Sequence, residues 1–195
     1  MEQKKHRRHE VLFAGLGGGG VLVSAEILAR AAIPEYGHVV WFPYYGAQQR
    51  GGQSQCFVTF SEEEIASPYV ARPEAVIALE QSVFKLVEGL VHPDGLLITE
   101  SLGLTKEAER KDVKVLKIPA IQTAIEIGEK RAANFVLLGA YVGAMKCLPF
   151  EAVEAIIEER FGKEPGQTFG ATARSKKASF NTEAFRRGLA FAANS

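Results

Sequence analysis

Cysteine is scarce in this chain of 195 residues: Cys56 and Cys147 are the only two, far apart and with no second Cys or His at ligand spacing beside either. A four-cysteine zinc site or an iron–sulfur cluster held by this chain alone is therefore excluded. Two isolated cysteines also suit a reducing, cytoplasmic setting better than a disulfide framework does. Net charge is absent as well, with 23 Lys+Arg against 23 Asp+Glu. Without a global field to draw in nucleic acid or an anionic membrane, any anion recognition must be local. Long apolar runs are missing too. The uncharged stretch at 11–25 is interrupted by glycines and followed at once by Glu26, and it falls short of the roughly 20 apolar residues that span a bilayer. Despite the basic residues before it, it does not read as a signal peptide. No Walker A, HExxH or G-x-S-x-G motif occurs, and no catalytic or metal-binding residue is assigned.

What is present suits one globular domain: 47% hydrophobic and 24% charged residues, with no internal repeat and no linker dividing two cores. Residues 1–9 are expected as a disordered basic tail and 10–195 as the domain. The VLFAG run at 11–15 ends in a glycine cluster, and Val21, Ala25, Leu28 and Ala32 then recur at helical spacing. That pattern predicts a buried strand, a tight turn and an amphipathic helix. A second strand is expected at 38–42, ended by Pro43. Cys56, Val58 and Phe60 alternate as in a third strand, and further strands are expected at 75–79, 96–99 and 113–118. A short helix is expected over 84–90. After the last strand the pattern turns helical, at 121–127, 134–147, 150–161 and 180–193, with 162–177 expected to be exposed or mobile. Strands alternating with helices predict an α/β fold with a largely parallel sheet and a helical C-terminal part.

Two motifs can carry chemistry. Gly15, Gly17, Gly18 and Gly20 fit G-x-G-x-x-G between a strand and a helix, where backbone N–H groups can approach a phosphate at the positive end of the helix. Close helix–strand packing, a phosphate or cofactor neighbourhood, and NAD(P) binding all remain open. The acidic residue that would hold a ribose hydroxyl at the end of the second strand is missing, since that strand ends in Phe42, Pro43 and Tyr44. The second motif runs from Tyr45 and Gly46 to Arg50, Gly51 and Gly52. A guanidinium beside two glycines suits a carboxylate or phosphate, or an acidic partner elsewhere in the fold or in another subunit. Cys56 reads as a core residue, Asn134 as a helix cap, His38 and His92 as local hydrogen-bonding groups, and 62–64 as a solvated acidic turn.

The GLGGGGV segment at 15–21, YGAQQRGG at 45–52, the stretch through Ser67 and Pro68, and RPEAVIA at 72–78 together resemble one family, the gamma subunit or domain of 2-oxoacid:ferredoxin oxidoreductases. Later segments agree. HPDGLLI at 92–98 is similar to the family's KPGGxLI, NFVLLG at 134–139 to NxxxLG, and NTEAFRRG at 181–188 to NxxAFxxG. The resemblance implies a Rossmann-like three-layer subunit of a complex that decarboxylates a 2-oxoacid, with 2-oxoglutarate first and pyruvate, branched-chain 2-oxoacids or indolepyruvate next, to an acyl-CoA. It further implies thiamine diphosphate, magnesium, iron–sulfur clusters and CoA on or with alpha, beta and ferredoxin-like delta subunits, and ferredoxin as acceptor. No nucleic acid and no membrane are expected as partners. The isolated chain is expected to self-associate through apolar surface meant for its partners.

The chain departs from the family pattern twice. Gly19 stands where GxGGQG has glutamine, and Gln48 and Gln49 precede Arg50 where an YGxEMRGG-like loop has an acidic group. A stand-alone nucleotide-binding module is the alternative reading, and it predicts nucleotide binding by the isolated chain.

Overall fold

The computed structural model describes residues 7–45, 52–104, 107–162 and 171–193, without the side chains of residues 45 and 171–177. Six strands form one sheet: β1 (Arg8–Leu16), β2 (His38–Tyr45), β3 (Gln53–Ser61), β4 (Ala75–Ala78), β5 (Leu96–Glu100) and β6 (Lys114–Ile118). Their order is β2-β3-β1-β4-β5-β6. β1, β4, β5 and β6 pair in parallel, while β3 pairs antiparallel with both β1 and β2. β3 alone therefore runs against the other five, and the expected largely parallel α/β sheet is the one observed. The opening β-α-β unit differs in one respect. β2 is parallel to β1, but β3 lies between them, because the expected third strand folds back as the second arm of a hairpin.

The helices are α1 (Val21–Ala32), α2 (Gln81–Glu88), α3 (Ala120–Ile127), α4 (Ala133–Met145), α5 (Phe150–Phe161) and α6 (Ala171–Ala193). Side-chain alternation along β1 divides them into two layers. Val11 and Phe13 join the core built with α1, α4 and α5, whereas Leu12 and Ala14 join Val83, Phe84 and Val87 of α2 on the opposite face. Every residue of α4 from Asn134 to Val142 is buried, as befits a helix covered on all sides.

Three boundaries move. β1 begins at Arg8, so Arg8 and His9, expected in the tail, pair with Ser61 and Phe60. His9 is further held by Glu74, with Nδ1···Oε1 2.6 Å, and Arg7 Nε donates to Glu62 Oε1 at 2.8 Å, so Glu62 ties the strand ends together rather than being merely solvated. β2 continues through Pro43 to Tyr45. Proline is tolerated there because β2 is an edge strand, where one side of the backbone needs no ladder donor. α6 begins at Ala171, nine residues before the expected Phe180, within the stretch expected to be exposed or mobile.

Candidate functional site

The five codirectional strands all end at one edge of the sheet, and both sequence motifs meet there. Gly17 N–H donates to Gly52 O at 3.1 Å, tying the glycine turn to the start of β3, at the loop end of the β2–β3 hairpin. Tyr45 closes β2 opposite Ser54. Gly46, Arg50 and Gly51 lie outside the described residues. The turn closes on itself through Gly19 N–H to Leu16 O at 3.0 Å, and Gly18 and Gly20 take φ of 94° and 86°, conformations that favour glycine. The glycines divide by task. A Cβ on Gly15 would lie 2.9 Å from Val21 Cγ2 and one on Gly20 2.6 Å from Asn134 Nδ2, so these two permit close packing, while a Cβ on Gly18 would meet nothing within 4 Å.

α1 leaves this turn on one face of the sheet and α2 leaves β4 on the other, so a crevice opens between the ends of β1 and β4, as doubly wound folds require at such a switch point. It is a cleft of about 450 Å³ lined by Gly18, Gly19 and Gly20, by Glu80 beyond β4, by Lys130 and Arg131 of a short 3₁₀ turn, and by Asn134 and Asn181. A side chain at position 19 would be tightly placed as the chain stands, because a Cβ there would lie 3.0 Å from Glu80 Oε1 and 3.2 Å from Leu16 O, so Glu80 would have to shift by a few tenths of an ångström. Glu80 occupies that side of the turn.

Asn134 is not a helix cap. It lies within α4, whose N-cap is Ala132, and its buried Nδ2 donates to Ser24 Oγ of α1 at 2.8 Å. Asn181 of α6 is equally buried, and its Nδ2 has no hydrogen-bond partner among the described residues. Lys130, Arg131, Glu80 and the cleft position of Asn181 escaped the reading of the sequence. The Asn that opens the NTEAFRRG segment was the available signal. At the same edge buried Glu100 accepts from Leu102 N–H at 2.7 Å and Ile121 N–H at 2.8 Å, supplying the start of α3 with an acceptor.

The remaining candidates are structural. Cys56 and Cys147 are buried thiols, both pushed up to about 12 by desolvation, which leaves almost no thiolate near neutrality. His38 opens β2 opposite Ser61, and His92 Nδ1 lies 2.5 Å from Pro93 O in the turn before β5. Among the described residues no three His, Cys, Asp or Glu gather as metal donors, and the two cysteines sit on separate elements. The donor set of this chain therefore does not fit an iron–sulfur cluster. A dinucleotide ribose fares no better at β2, whose end is separated from the glycine turn by β3.

Taken together, the fold is a doubly wound α/β domain with a glycine turn and a hairpin at the switch point. Residues 10–191 match the family described as pyruvate ferredoxin/flavodoxin oxidoreductase, and the chain belongs to that family. It is 31% identical over 173 residues to the pyruvate/ketoisovalerate oxidoreductases common subunit gamma of Pyrococcus abyssi, covering 85% of this chain and 93% of that one. It is 34% identical over 139 residues to ketoisovalerate oxidoreductase subunit VorA of Methanothermobacter marburgensis, covering 71% of this chain but 29% of VorA. The chain thus spans less than a third of that longer relative. The crystal structure of a keto/oxoacid ferredoxin oxidoreductase gamma subunit from Geobacter sulfurreducens superposes with a TM-score of 0.77 at 27% identity, over 96% of this chain and 99% of that one.

Proposed function

We propose that this chain is the gamma subunit of a thiamine diphosphate-dependent 2-oxoacid:ferredoxin oxidoreductase that forms an acyl-CoA in the cytoplasm. 2-Oxoglutarate is the first substrate to test, with pyruvate and branched-chain 2-oxoacids as its competitors, since the relatives' names divide among 2-oxoglutarate, pyruvate and ketoisovalerate. When bound, thiamine diphosphate with magnesium supplies the decarboxylation and the clusters carry the electrons to ferredoxin. Both belong on alpha, beta and delta partners, because the sequence has no GDG thiamine and magnesium signature and two buried cysteines on separate elements cannot hold a cluster. Among the described residues no helix is long and apolar enough to cross a membrane.

The observation that carries this reading is the Gly17–Gly52 hydrogen bond, which brings the two family motifs to one edge of the sheet. There the glycine turn (Gly15, Gly17, Gly18, Gly20) and the Tyr45–Gly46–Arg50–Gly51–Gly52 segment would face CoA, the substrate or the partner subunits. The turn packs the domain and offers backbone N–H groups, and Arg50 offers a permanent cation for a carboxylate or phosphate. Arg50→Ala in the assembled complex tests the assignment. Weakened docking or a lower turnover supports it, whereas full activity with normal assembly removes Arg50 from the site.

A further inference from the structure

A second cleft, of about 560 Å³, lies between the end of α5 and the middle of α6. It is lined chiefly by Glu158 of α5 and its C-cap Gly162, and by Ser179, Thr182, Glu183 and Arg186 of α6. The spacing of the last four puts them on one stripe of α6, and 158 and 162 lie one turn apart. Thr182 is 6% exposed, yet its Oγ1 meets no hydrogen-bond partner among the described residues. A buried hydroxyl is costly to leave unpaired, and helix packing alone does not call for one. The charges around it do not cancel. Arg186 is committed to Glu154 by two bonds of 2.7 and 2.8 Å, and Glu183 accepts from Arg187 at 3.0 Å. Glu158 is exposed and forms no ion pair among the described residues, its carboxylate acting on Arg186 only at a distance. The last carbonyls of α5 add the negative end of that helix. Among the described residues no three His, Cys, Asp or Glu gather here as metal donors, so the surplus negative charge suits an organic cation with N–H donors of its own.

We infer that this α5–α6 cleft binds a primary ammonium group carried on an alkyl chain. An ammonium brings three N–H donors and no acceptor. Glu158 takes one of them as a charge-assisted hydrogen bond. Thr182 Oγ1 accepts another, which gives the buried hydroxyl its missing partner, and the carbonyl end of α5 favours the positive charge. None of these residues belongs to the glycine turn or the hairpin, so the site stands or falls separately from the subunit reading.

Titration of the ¹⁵N-labelled full chain at low salt with 1,4-diaminobutane, N-acetyl-lysine methylamide and tetramethylammonium tests this. The first two probes separate a free amine from a lysine side chain as the source of the ammonium, and the third carries the charge without N–H donors. The expected result is that at least one of the first two shifts the backbone amides of residues 158, 162, 179, 182 and 183 together, more tightly than tetramethylammonium does. In Glu158→Gln, a substitution at an exposed position, the affinity should fall about tenfold, equivalent to ~1.4 kcal/mol. Thr182→Val should weaken the same probe while leaving the thermal midpoint of the free chain unchanged or raised, because the hydroxyl it removes has no partner there. Equal binding of all three probes, shifts that spare these residues, or an affinity unchanged in Glu158→Gln would overturn the site. A lowered midpoint in Thr182→Val would also count against it, since the hydroxyl would then already be satisfied within the chain.

Discussion

Gly139 and Gly188 meet backbone to backbone where α4 crosses α6. A Cβ on Gly139 would lie 2.1 Å from the Phe185 carbonyl oxygen, and one on Gly188 would lie 2.1 Å from that of Val136. Gly143 continues the contact, where a Cβ would come within 2.9 Å of Ala192 Cβ. The NFVLLG and NTEAFRRG segments thereby share one logic: each begins on an asparagine in the cleft and ends on a glycine at the helix crossing. The crossing sets the distance between the two asparagines.

Gly188→Ala should therefore separate the helices and destabilise the chain by about 1–3 kcal/mol or more, read as a lower urea midpoint. Gly89 is the control. It ends α2 with φ −68°, and a Cβ there meets nothing within 4 Å, so Gly89→Ala should be neutral or stabilising by up to ~1 kcal/mol. Equal effects at the two positions would contradict the packing argument.

The alternation of Val11 and Phe13 with Leu12 and Ala14, and the helical spacing of Val21, Ala25 and Leu28, made the α/β architecture legible in one dimension, because burial on two faces writes itself into local periodicity. The position of β3 was not legible. Nothing local in Cys56, Val58 and Phe60 says that their strand inserts beside β1 rather than continuing outward; pairing across the hairpin decides that. Pro43 misled for a similar reason, since its tolerance depends on β2 being an edge. The glycine turn was found at its place in the fold, but Lys130, Arg131 and Asn181 come to it from other elements. Asn134, read as a local cap, bonds instead to a helix far away in sequence.

Ser24→Ala should leave Asn134 Nδ2 buried without its 2.8 Å partner, a cost of about 1–3 kcal/mol. Urea denaturation measures it. A Ser24→Ala variant as stable as the parent would show that Asn134 finds another acceptor, and that the α1–α4 contact does not depend on this bond.

Both thiols should resist modification in the folded chain. Burial raises Cys56 and Cys147 from 9.0 to about 12, so a thiol reagent at pH 8 should label neither until denaturant is added. Folding holds these protons more tightly, so their contribution to stability is complete below pH 9 and is lost as the pH rises toward 12. Rapid labelling of the native chain at pH 8 would contradict the burial.

Glu88 makes the opposite prediction. Burial pushes its carboxyl up, but donors from the Arg110 amide, Lys85 Nζ and the Glu109 amide, at 3.0, 3.1 and 2.5 Å, outweigh that and hold it below the ordinary glutamate value of 4.5. A depressed folded-state value stabilises above that range and is lost as the pH falls through it. Glu88→Gln should cost about 1–3 kcal/mol at pH 7, and the gap to the parent should close in acid. A gap that stays constant down to pH 3 would assign the loss to shape rather than charge.

The most direct test of the subunit assignment is anaerobic affinity purification of the tagged chain from its native cell, with mass spectrometry of what accompanies it and an acyl-CoA-forming assay over 2-oxoglutarate, pyruvate and branched-chain 2-oxoacids. The account predicts thiamine- and cluster-bearing partner chains and CoA-dependent activity on one 2-oxoacid. Recovery of the chain alone, without that activity and with a nucleotide bound, would contradict it.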